Sequence, residues 1–311
     1  MAVVTRETSG VFAIAPTPFD DRGDIDYSSL GRLIDFYERT GVTGLTVLGQ
    51  LGEAPKLSHT ESVSVVSYVL GKTTLPVVVG VSAPGFAPMR SLAQEVMAAG
   101  AAGVMVAPPN TLRTDDQIVS YYQGAAAAVG PETPLVLQDY PLSFSVVMTP
   151  SVIARIARDI PSCVMLKHED WPGLDKITTL RHLEANQDMP RLSILCGNGG
   201  LFLDFETERG ADGAMTGYCF PELLVDVVAR TAAGRREDSH DLFDAHLPLL
   251  RYEQQPGIGL AVRKYVFKRR GLLASDAQRA PSGVLSEHTR SEVDYLLERL
   301  ARRDPRVVLV A

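Results

Sequence analysis

The chain has 311 residues, a formal net charge of −7, 45% hydrophobic residues and 22% charged residues. The length suits one α/β barrel, which typically takes about 250 residues, with an appendage. No basic face, no apolar run of about 18 residues and no apolar signal core occurs, so we expect a cytoplasmic protein that binds neither nucleic acid nor membrane.

Apolar runs that are typical of strands alternate along the chain with segments of helical spacing. We predict strands at 11–15, 44–48, 76–81, 103–107, 135–138, 163–167, 192–196 and 213–216. We predict helices between and after them at 27–40, 58–70, 87–99, 114–129, 149–157, 174–185, 201–208 and 221–233, several of them with capping residues. Strict alternation of strand and helix favours a closed (β/α)8 TIM barrel over 1–233 rather than an open doubly wound sheet.

After Gly234 the pattern is helical only, with predicted helices at about 238–253, 257–270 and 286–302. We expect these to form a C-terminal three-helix appendage, 234–311, packed on the barrel. The segment 299–306 reads as a solvated, frayed end, and the sequence offers no explanation for the apolar tail 307–311. No glycine-rich phosphate loop follows the first strand, which argues against a dinucleotide site.

The three cysteines, Cys163, Cys196 and Cys219, each lie in or beside an apolar run. None belongs to a short paired motif, so reduced core thiols are expected. The six histidines are scattered, and no cluster of histidine and carboxylate residues falls at several strand ends. We therefore expect no metal site.

Lys167 stands at the carboxyl end of the sixth predicted strand, after the apolar residues 163–166. Active sites of such barrels lie at this end. Burial disfavours the charged ammonium, so the free amine could form a Schiff base with a carbonyl substrate. The segment alone fits a lysine that extends to solvent better. His168 is expected to face the helices in a structural role, and Glu169 to share the face of Lys167 and hold its proton.

Other strand ends carry further candidates. The loop Gly49-Gln50-Leu51-Gly52-Glu53 could turn backbone N–H groups toward a carboxylate, or could be a plain connection. Gln138 and Tyr140 share a face and could point into the barrel mouth, with Asp139 turned aside, although a tyrosine there is more often a packing residue. The glycine-rich segment 197–200 is weak evidence for an anion site.

In their order and spacing these residues resemble the dihydrodipicolinate synthase / N-acetylneuraminate lyase family of class I lyases and aldolases. The resemblance runs from about Gly10 to Leu300. It rests on the opening segment 16–19, the loop 49–53, Lys167, and the segments 197–200 and 210–217. Each motif alone is unspecific, but their order along the chain is specific.

The resemblance implies that an α-keto acid, usually pyruvate, condenses with Lys167. The protonated imine then serves as an electron sink for C–C cleavage, C–C formation or dehydration. It also implies that no cofactor is needed, and that the chain forms a homo-oligomer, either a dimer or a tetramer. The keto-acid carboxylate would rest on N–H groups near Leu51 and Gly52, and the backbone of Met215 would touch the keto acid. The substrate-binding candidates are Gln50, Leu51, Gly52, Glu53, Gly197 and Met215.

The chain departs from the family pattern at several positions. Gln138 replaces the family's proton-shuttling tyrosine, and Gln50 and Leu51 replace two threonines. Asn110 stands where a neighbouring subunit usually supplies a tyrosine, and Ser143 where true dihydrodipicolinate synthases bind the second substrate with an arginine. We therefore expect a lyase with another α-keto acid substrate.

Two groups could replace the missing proton donor, Tyr140 and Glu169. We favour Tyr140, because a nearby cation can polarise a phenol without removing its proton, whereas a neighbouring lysine favours the charged form of Glu169. The catalytic candidates are Lys167, Tyr140 and Gln138. The alternative function is an inactive barrel kept as a keto-acid-binding or structural protein, which the missing tyrosines and threonines favour and the retained lysine opposes.

Overall fold

The computed structural model describes residues 2–171 and 173–310. Within these ranges eight parallel strands close into one barrel, each paired with the next along the chain and the last with the first. The strands are β1 Gly10–Ile14, β2 Gly44–Val47, β3 Val77–Gly80, β4 Gly103–Val106, β5 Leu135–Asp139, β6 Cys163–His168, β7 Ser193–Cys196 and β8 Gly213–Thr216. The predicted (β/α)8 TIM barrel is confirmed.

Helices connect the strands and follow the last one. They are α1 Tyr27–Thr40, α2 His59–Lys72, α3 Phe86–Ala98, α4 Asp115–Val129, α5 Pro141–Phe144, α6 Pro150–Asp159, α7 Leu174–Ala185, α8 Leu203–Glu208, α9 Pro221–Ala232, α10 Arg236–Tyr252, α11 Gly259–Arg269 and α12 Glu287–Ala301. Short 3-10 turns cover Ala54–Lys56 and Asn198–Gly200. The sequence missed α5 and both turns because one turn of helix shows no periodicity, and α8 begins later than predicted because the second 3-10 turn precedes it.

Two apolar layers hold the barrel together. Side chains inside it form one cluster that includes Phe12, Met105, Val136 and Met215. A larger cluster fills the space between the strands and the surrounding helices. Strand residues therefore alternate between two buried faces, which is why the strands read as continuous apolar runs.

A bulge in β6 sets which of its side chains face inward. The pairing of β6 with β5 skips Val164, so the phase of the strand changes there. Met165 packs in the inner cluster and Leu166 in the outer one. Alternation then places Lys167 on the inner face, at the end of the strand.

The predicted C-terminal helical region is present and reaches back to the barrel loops. Lys264 on α11 pairs with Glu53 in the loop after β2. Arg270, at the end of α11, pairs with Glu222 on α9 at 2.6 Å. These contacts tie the middle and the carboxyl end of α11 to the barrel. The division of the chain at residue 234 stays a prediction.

In the segment 299–306, expected as a solvated, frayed end, the arginines are exposed, but Asp304 is an exception because it is buried and paired. Asp304 is buried, lies 3.0 Å from His246 Nε2 and accepts a hydrogen bond from Arg306. The apolar tail also has a contact: Val310 N donates to the carbonyl oxygen of Arg269 at 2.7 Å. The tail therefore lies against the carboxyl end of α11 and satisfies one of its terminal carbonyl groups.

Cys163, Cys196 and Cys219 are buried and unpaired. Burial raises the pKa of the Cys163 thiol to about 12, so this thiol is unreactive at neutral pH. Across the described ranges no helix has both the length and the apolar character that a bilayer crossing needs.

Candidate active site

The carboxyl ends of the strands open into a cavity of about 840 Å³, a size that suits a small ligand. The loops after β2, β5, β6 and β7 form one wall. Residues 251–260 and Arg263 of α11 form a second wall. The cavity therefore lies between the barrel mouth and the C-terminal helices.

Lys167 lies in this cavity with its side chain 4% exposed, and its Nζ is 2.9 Å from Glu169 Oε2. Gln138 Nε2 donates to the same carboxylate oxygen at 2.7 Å. Strand pairing sets Gln138 directly beside Lys167, and alternation puts Glu169 on the same face. A proton can pass between Lys167 and Glu169 without a bridging water.

The segment after β7 shapes the space around Glu169. A Cβ atom at Gly197 would lie only 2.2 Å from Glu169 Cγ, so a side chain at this position would displace the carboxylate. Asn198 Nδ2 donates to the backbone oxygen of Glu169 at 2.9 Å. Gly197 does not line the cavity, but it makes room for a group that does.

The residues predicted to face away from the cavity do so. Asp139 and His168 are both fully buried and are absent from the cavity lining. Asp139 Oδ2 accepts a hydrogen bond from Lys176 Nζ at 2.8 Å and lies 3.8 Å from His168 Nδ1. His168 Nε2 is 3.2 Å from the oxygen of Gly173. These contacts anchor β5 and β6 to α7.

Tyr140 lines the cavity, as does Gln138. Burial raises the pKa of Tyr140, the charge of Glu169 raises it further, and Ser143 and Arg263 oppose the shift. The phenol is therefore protonated at neutral pH and can only donate. Among the described residues Glu169, and not Tyr140, is hydrogen-bonded to Lys167.

The loop after β2 presents Gln50 and Leu51 to the cavity. Gln50 Oε1 accepts a hydrogen bond from Ser143 Oγ at 3.2 Å. Within the described ranges the N–H groups of Leu51 and Gly52 donate to no other residue. The loop enters with Leu48 at φ 56° and leaves with Glu53 at φ 53°, a left-handed geometry in which backbone N–H groups form anion-binding nests.

Glu53, Gly52 and Met215, predicted as substrate-binding residues, do not line the cavity. Glu53 is 2% exposed and accepts hydrogen bonds from Lys56 Nζ at 2.7 Å and from Lys264. Glu53 therefore lies beneath the loop after β2 and fixes this loop to α11. Met215 is fully buried in the inner barrel cluster, and its neighbour Thr216 faces the cavity instead.

Sequence reasoning missed the residues that the C-terminal region contributes, chiefly Arg251, Glu253, Gln254 and Arg263. Glu253 is fully buried and accepts from Arg263 Nε at 2.8 Å. Burial raises the pKa of Glu253, and the charge of Arg263 opposes that shift. A signal was present in the sequence: Arg263 and Lys264 interrupt an otherwise apolar stretch of α11, and buried charges need partners.

Fold and cavity define a (β/α)8 barrel with a buried lysine–carboxylate pair at the carboxyl end of β6. The family model for the dihydrodipicolinate synthetase family matches residues 7–300. The chain belongs to that family, which confirms the resemblance predicted from the sequence.

Solved and curated relatives agree with this assignment. The chain is 62% identical to the dihydrodipicolinate synthase from Rhodopseudomonas palustris, whose crystal structure matches with a TM-score of 0.95 over 96% of this chain and 100% of that one. It is 29% identical to the L-2-keto-3-deoxyarabonate dehydratase of Azospirillum brasilense over 98% of this chain and 97% of the relative. It is 27% identical to the 4-hydroxy-tetrahydrodipicolinate synthase of Methanothrix thermoacetophila, over 78% of this chain and 80% of the relative.

Proposed function

We propose that the protein is a Schiff-base-forming lyase that acts on pyruvate or another α-keto acid. The observation that carries the proposal is the buried Lys167 amine, which faces the cavity and lies 2.9 Å from Glu169 Oε2. Membership of a family of lyases and dehydratases supports it. An inactive binding barrel is less well supported, because a buried lysine–carboxylate pair is costly to maintain without use.

In the proposed first step the substrate carboxylate rests on the N–H groups of Leu51 and Gly52, with its keto carbon beside Lys167. Glu169 takes a proton from the ammonium, and the free amine attacks the keto carbon. A proton then moves from the nitrogen to the oxygen of the adduct, which gives a neutral carbinolamine. Glu169 then returns the proton to the hydroxyl of the adduct, which leaves as water and gives the protonated imine. Gln138 holds the carboxylate of Glu169 in place throughout, through its 2.7 Å hydrogen bond.

In the second step the imine accepts the electrons released at C3. Glu169, again a carboxylate, removes the C3 proton and an enamine forms. Expulsion of a hydroxyl from C4, protonated by Tyr140, releases water. The proton on Glu169 returns to Tyr140 through solvent, and hydrolysis of the imine frees the dehydrated product and Lys167. The similarity to a keto-deoxy sugar acid dehydratase over 98% of this chain supports this outcome over C–C cleavage.

We expect synthesis of dihydrodipicolinate from pyruvate and aspartate semialdehyde to be absent or very slow. Ser143 replaces the arginine expected there and bonds to Gln50 instead, and Gln138 cannot carry protons. A continuous condensation assay tests this expectation. Turnover near one per second, an ordinary enzyme rate, would contradict it.

We further expect a cytoplasmic homo-oligomer, either a dimer or a tetramer, as the family resemblance implies. The cavity lining described above comes from one chain. Sedimentation velocity distinguishes the two assemblies from a monomer.

Borohydride trapping tests the proposed function. Incubation with pyruvate or a panel of α-keto acids, followed by borohydride, is expected to add the mass of one reduced adduct per chain. Peptide mapping is expected to place it on Lys167. Lys176→Met is unsuitable as a control because Lys176 pairs with Asp139 and Asp170, so exposed Lys268→Met serves instead. No adduct with any acid, or an adduct that persists in Lys167→Met, would overturn the proposal.

A further inference from the structure

We infer that the cavity binds a second carboxylate of its substrate at Arg263 and Gln254, so that the substrate is a 2-oxo dicarboxylate. Only one part of this inference rests on the proposed function, namely the position of the keto group beside Lys167. The evidence is a set of hydrogen-bond donors on the wall that residues 251–260 and Arg263 form.

Arg263 is held so that its terminal nitrogens face the cavity. Its side chain is 10% exposed, and its Nε donates to Glu253 Oε1 at 2.8 Å. Across the described ranges its two terminal nitrogens have no hydrogen-bond partner, although the residue lines the cavity. A guanidinium has five N–H donors in a planar fork that matches a carboxylate. Glu253 fixes the plane of that fork and leaves its outer edge for a ligand.

Gln254 supplies a second donor at the same place. Its Nε2 is buried and has no partner among the described residues. A Cβ atom added to Gly199 would lie 1.8 Å from Gln254 Nε2 and 3.5 Å from Arg263 Nη2, so both donors converge on this glycine. A buried donor without a hydrogen-bond partner destabilises the fold. The Gln254 amide has no accessible surface where it packs beside Gly199, so it must turn toward the cavity to share a ligand oxygen with Arg263.

The charges on this wall favour a carboxylate over a phosphate. Glu253 offsets one positive charge, that of Arg263. Arg251, exposed at the rim, has no ion pair among the described residues. The wall therefore carries about one unit of uncompensated positive charge, that of Arg251 at the rim, which matches one carboxylate better than a dianionic phosphate.

The segment after β7 links the two ends of the proposed substrate. Gly197 packs against Glu169, and Gly199 lies against Arg263 and Gln254. Two residues span at most about 7 Å of chain. The second carboxylate therefore lies a short distance from the keto carbon, which limits the substrate to a short diacid.

The fluorescence of Trp171 gives a binding assay that does not need an imine. It is the one tryptophan of the chain, it lines the cavity, and it is 47% exposed. We would titrate 2-oxoglutarate and 2-oxoadipate against 2-oxoglutaramate and 2-oxohexanoate, which lack the second charge. Wild type is expected to bind a diacid at least about tenfold more tightly than the counterpart with one carboxylate.

Two variants test whether the preference for diacids comes from Arg263. Arg263→Met alone leaves Glu253 buried and unpaired, so the variant to use is Arg263→Met with Glu253→Gln. Its dissociation constants for diacids and for their monocarboxylate counterparts are expected to agree within about twofold, because the charged contact is lost. Arg235→Met removes an exposed arginine outside the cavity and is expected to keep the full preference.

The outcomes separate this inference from the proposed function. The inference would be overturned if wild type bound a diacid and its monocarboxylate counterpart equally well. It would also be overturned if the preference for diacids survived in the double variant. Pyruvate trapping at Lys167 without a diacid preference would leave the proposed function standing. Diacid preference without any borohydride adduct would overturn the proposed function and leave this carboxylate site standing.

Discussion

At the scale of single residues, the contact that matters most is the one between Lys167 and Glu169. The sequence favoured Tyr140 as the proton donor because a nearby cation can polarise a phenol without removing its proton. In the structure Glu169 touches the amine at 2.9 Å, and burial together with Glu169 raises the pKa of Tyr140. We therefore assign proton transfer at the imine to Glu169 and donation to the leaving hydroxyl to Tyr140.

This assignment predicts different losses in two variants. Glu169→Gln should lower kcat on the true substrate by about a hundredfold or more, because glutamine cannot take a proton. Tyr140→Phe should lower kcat by about tenfold, since a water can replace a donor at the leaving group. Steady-state kinetics measure both, with Tyr295→Phe, an exposed residue of α12, as the control. A larger loss in Tyr140→Phe than in Glu169→Gln would return the main role to Tyr140.

A second prediction concerns Glu206 on α8. Burial raises its pKa from 4.5 to about 7, so the folded state holds a proton that the unfolded state releases between these values. The resulting stability is complete below the unfolded pKa and is lost as pH rises through about 7. An ionised Glu206 then costs on the order of 3 kcal/mol.

Glu206→Gln should therefore unfold with a smaller pH dependence than wild type and be the more stable protein at about pH 8. Urea denaturation at about pH 5 and about pH 8 measures this difference. Glu237→Gln, an exposed neighbour on α10, controls for loss of charge. An unchanged pH dependence in Glu206→Gln would contradict the prediction.

At the scale of helices and strands, local sequence predicted most elements because their ends carry local information. Ser58, Thr114 and Thr149 cap α2, α4 and α6 as expected. The bulge at Val164 was not predictable, because it depends on the partner strand. The contribution of α11 to the cavity was also missed, since Lys264 and Glu53 are 211 positions apart and no local pattern encodes that contact.

The Lys264–Glu53 pair gives a prediction at this scale. Lys264 is fully buried, and burial lowers its pKa to about 8. Lys264→Met would leave Glu53 buried with one cation fewer, which should cost about 3–5 kcal/mol of unfolding free energy. Adding Glu53→Gln should restore most of the loss, because no buried unpaired carboxylate remains and the Lys56 ammonium, which also bonds to Glu53, is partly exposed to solvent.

Chemical denaturation measures these free energies. Lys268→Met, at a partly exposed position on the same helix, is expected to change stability by less than about 1 kcal/mol. A small effect of Lys264→Met, or no recovery in the double variant, would mean that the pair does not hold the loop after β2 on α11.

At the scale of the whole molecule, the C-terminal helices complete the cavity as well as cover the barrel. Arg263 and Glu253 line its wall, and Lys264 and Arg270 pair with carboxylates of the barrel. We therefore expect one cooperative unfolding transition. The midpoint from Trp171 fluorescence should coincide with the midpoint from far-UV circular dichroism. Two separated transitions would show that residues 234–311 unfold independently.

Deuterium exchange at C3 of a bound α-keto acid tests the central claim, imine formation at Lys167, most directly. Wild type in D2O should exchange the C3 protons of pyruvate or of a 2-oxo dicarboxylate, seen by proton NMR. Lys167→Met should abolish the exchange, and Glu169→Gln should slow it by about a hundredfold while borohydride still traps the adduct. Undiminished exchange in Lys167→Met, or no exchange by wild type with any acid of the panel, would contradict the account.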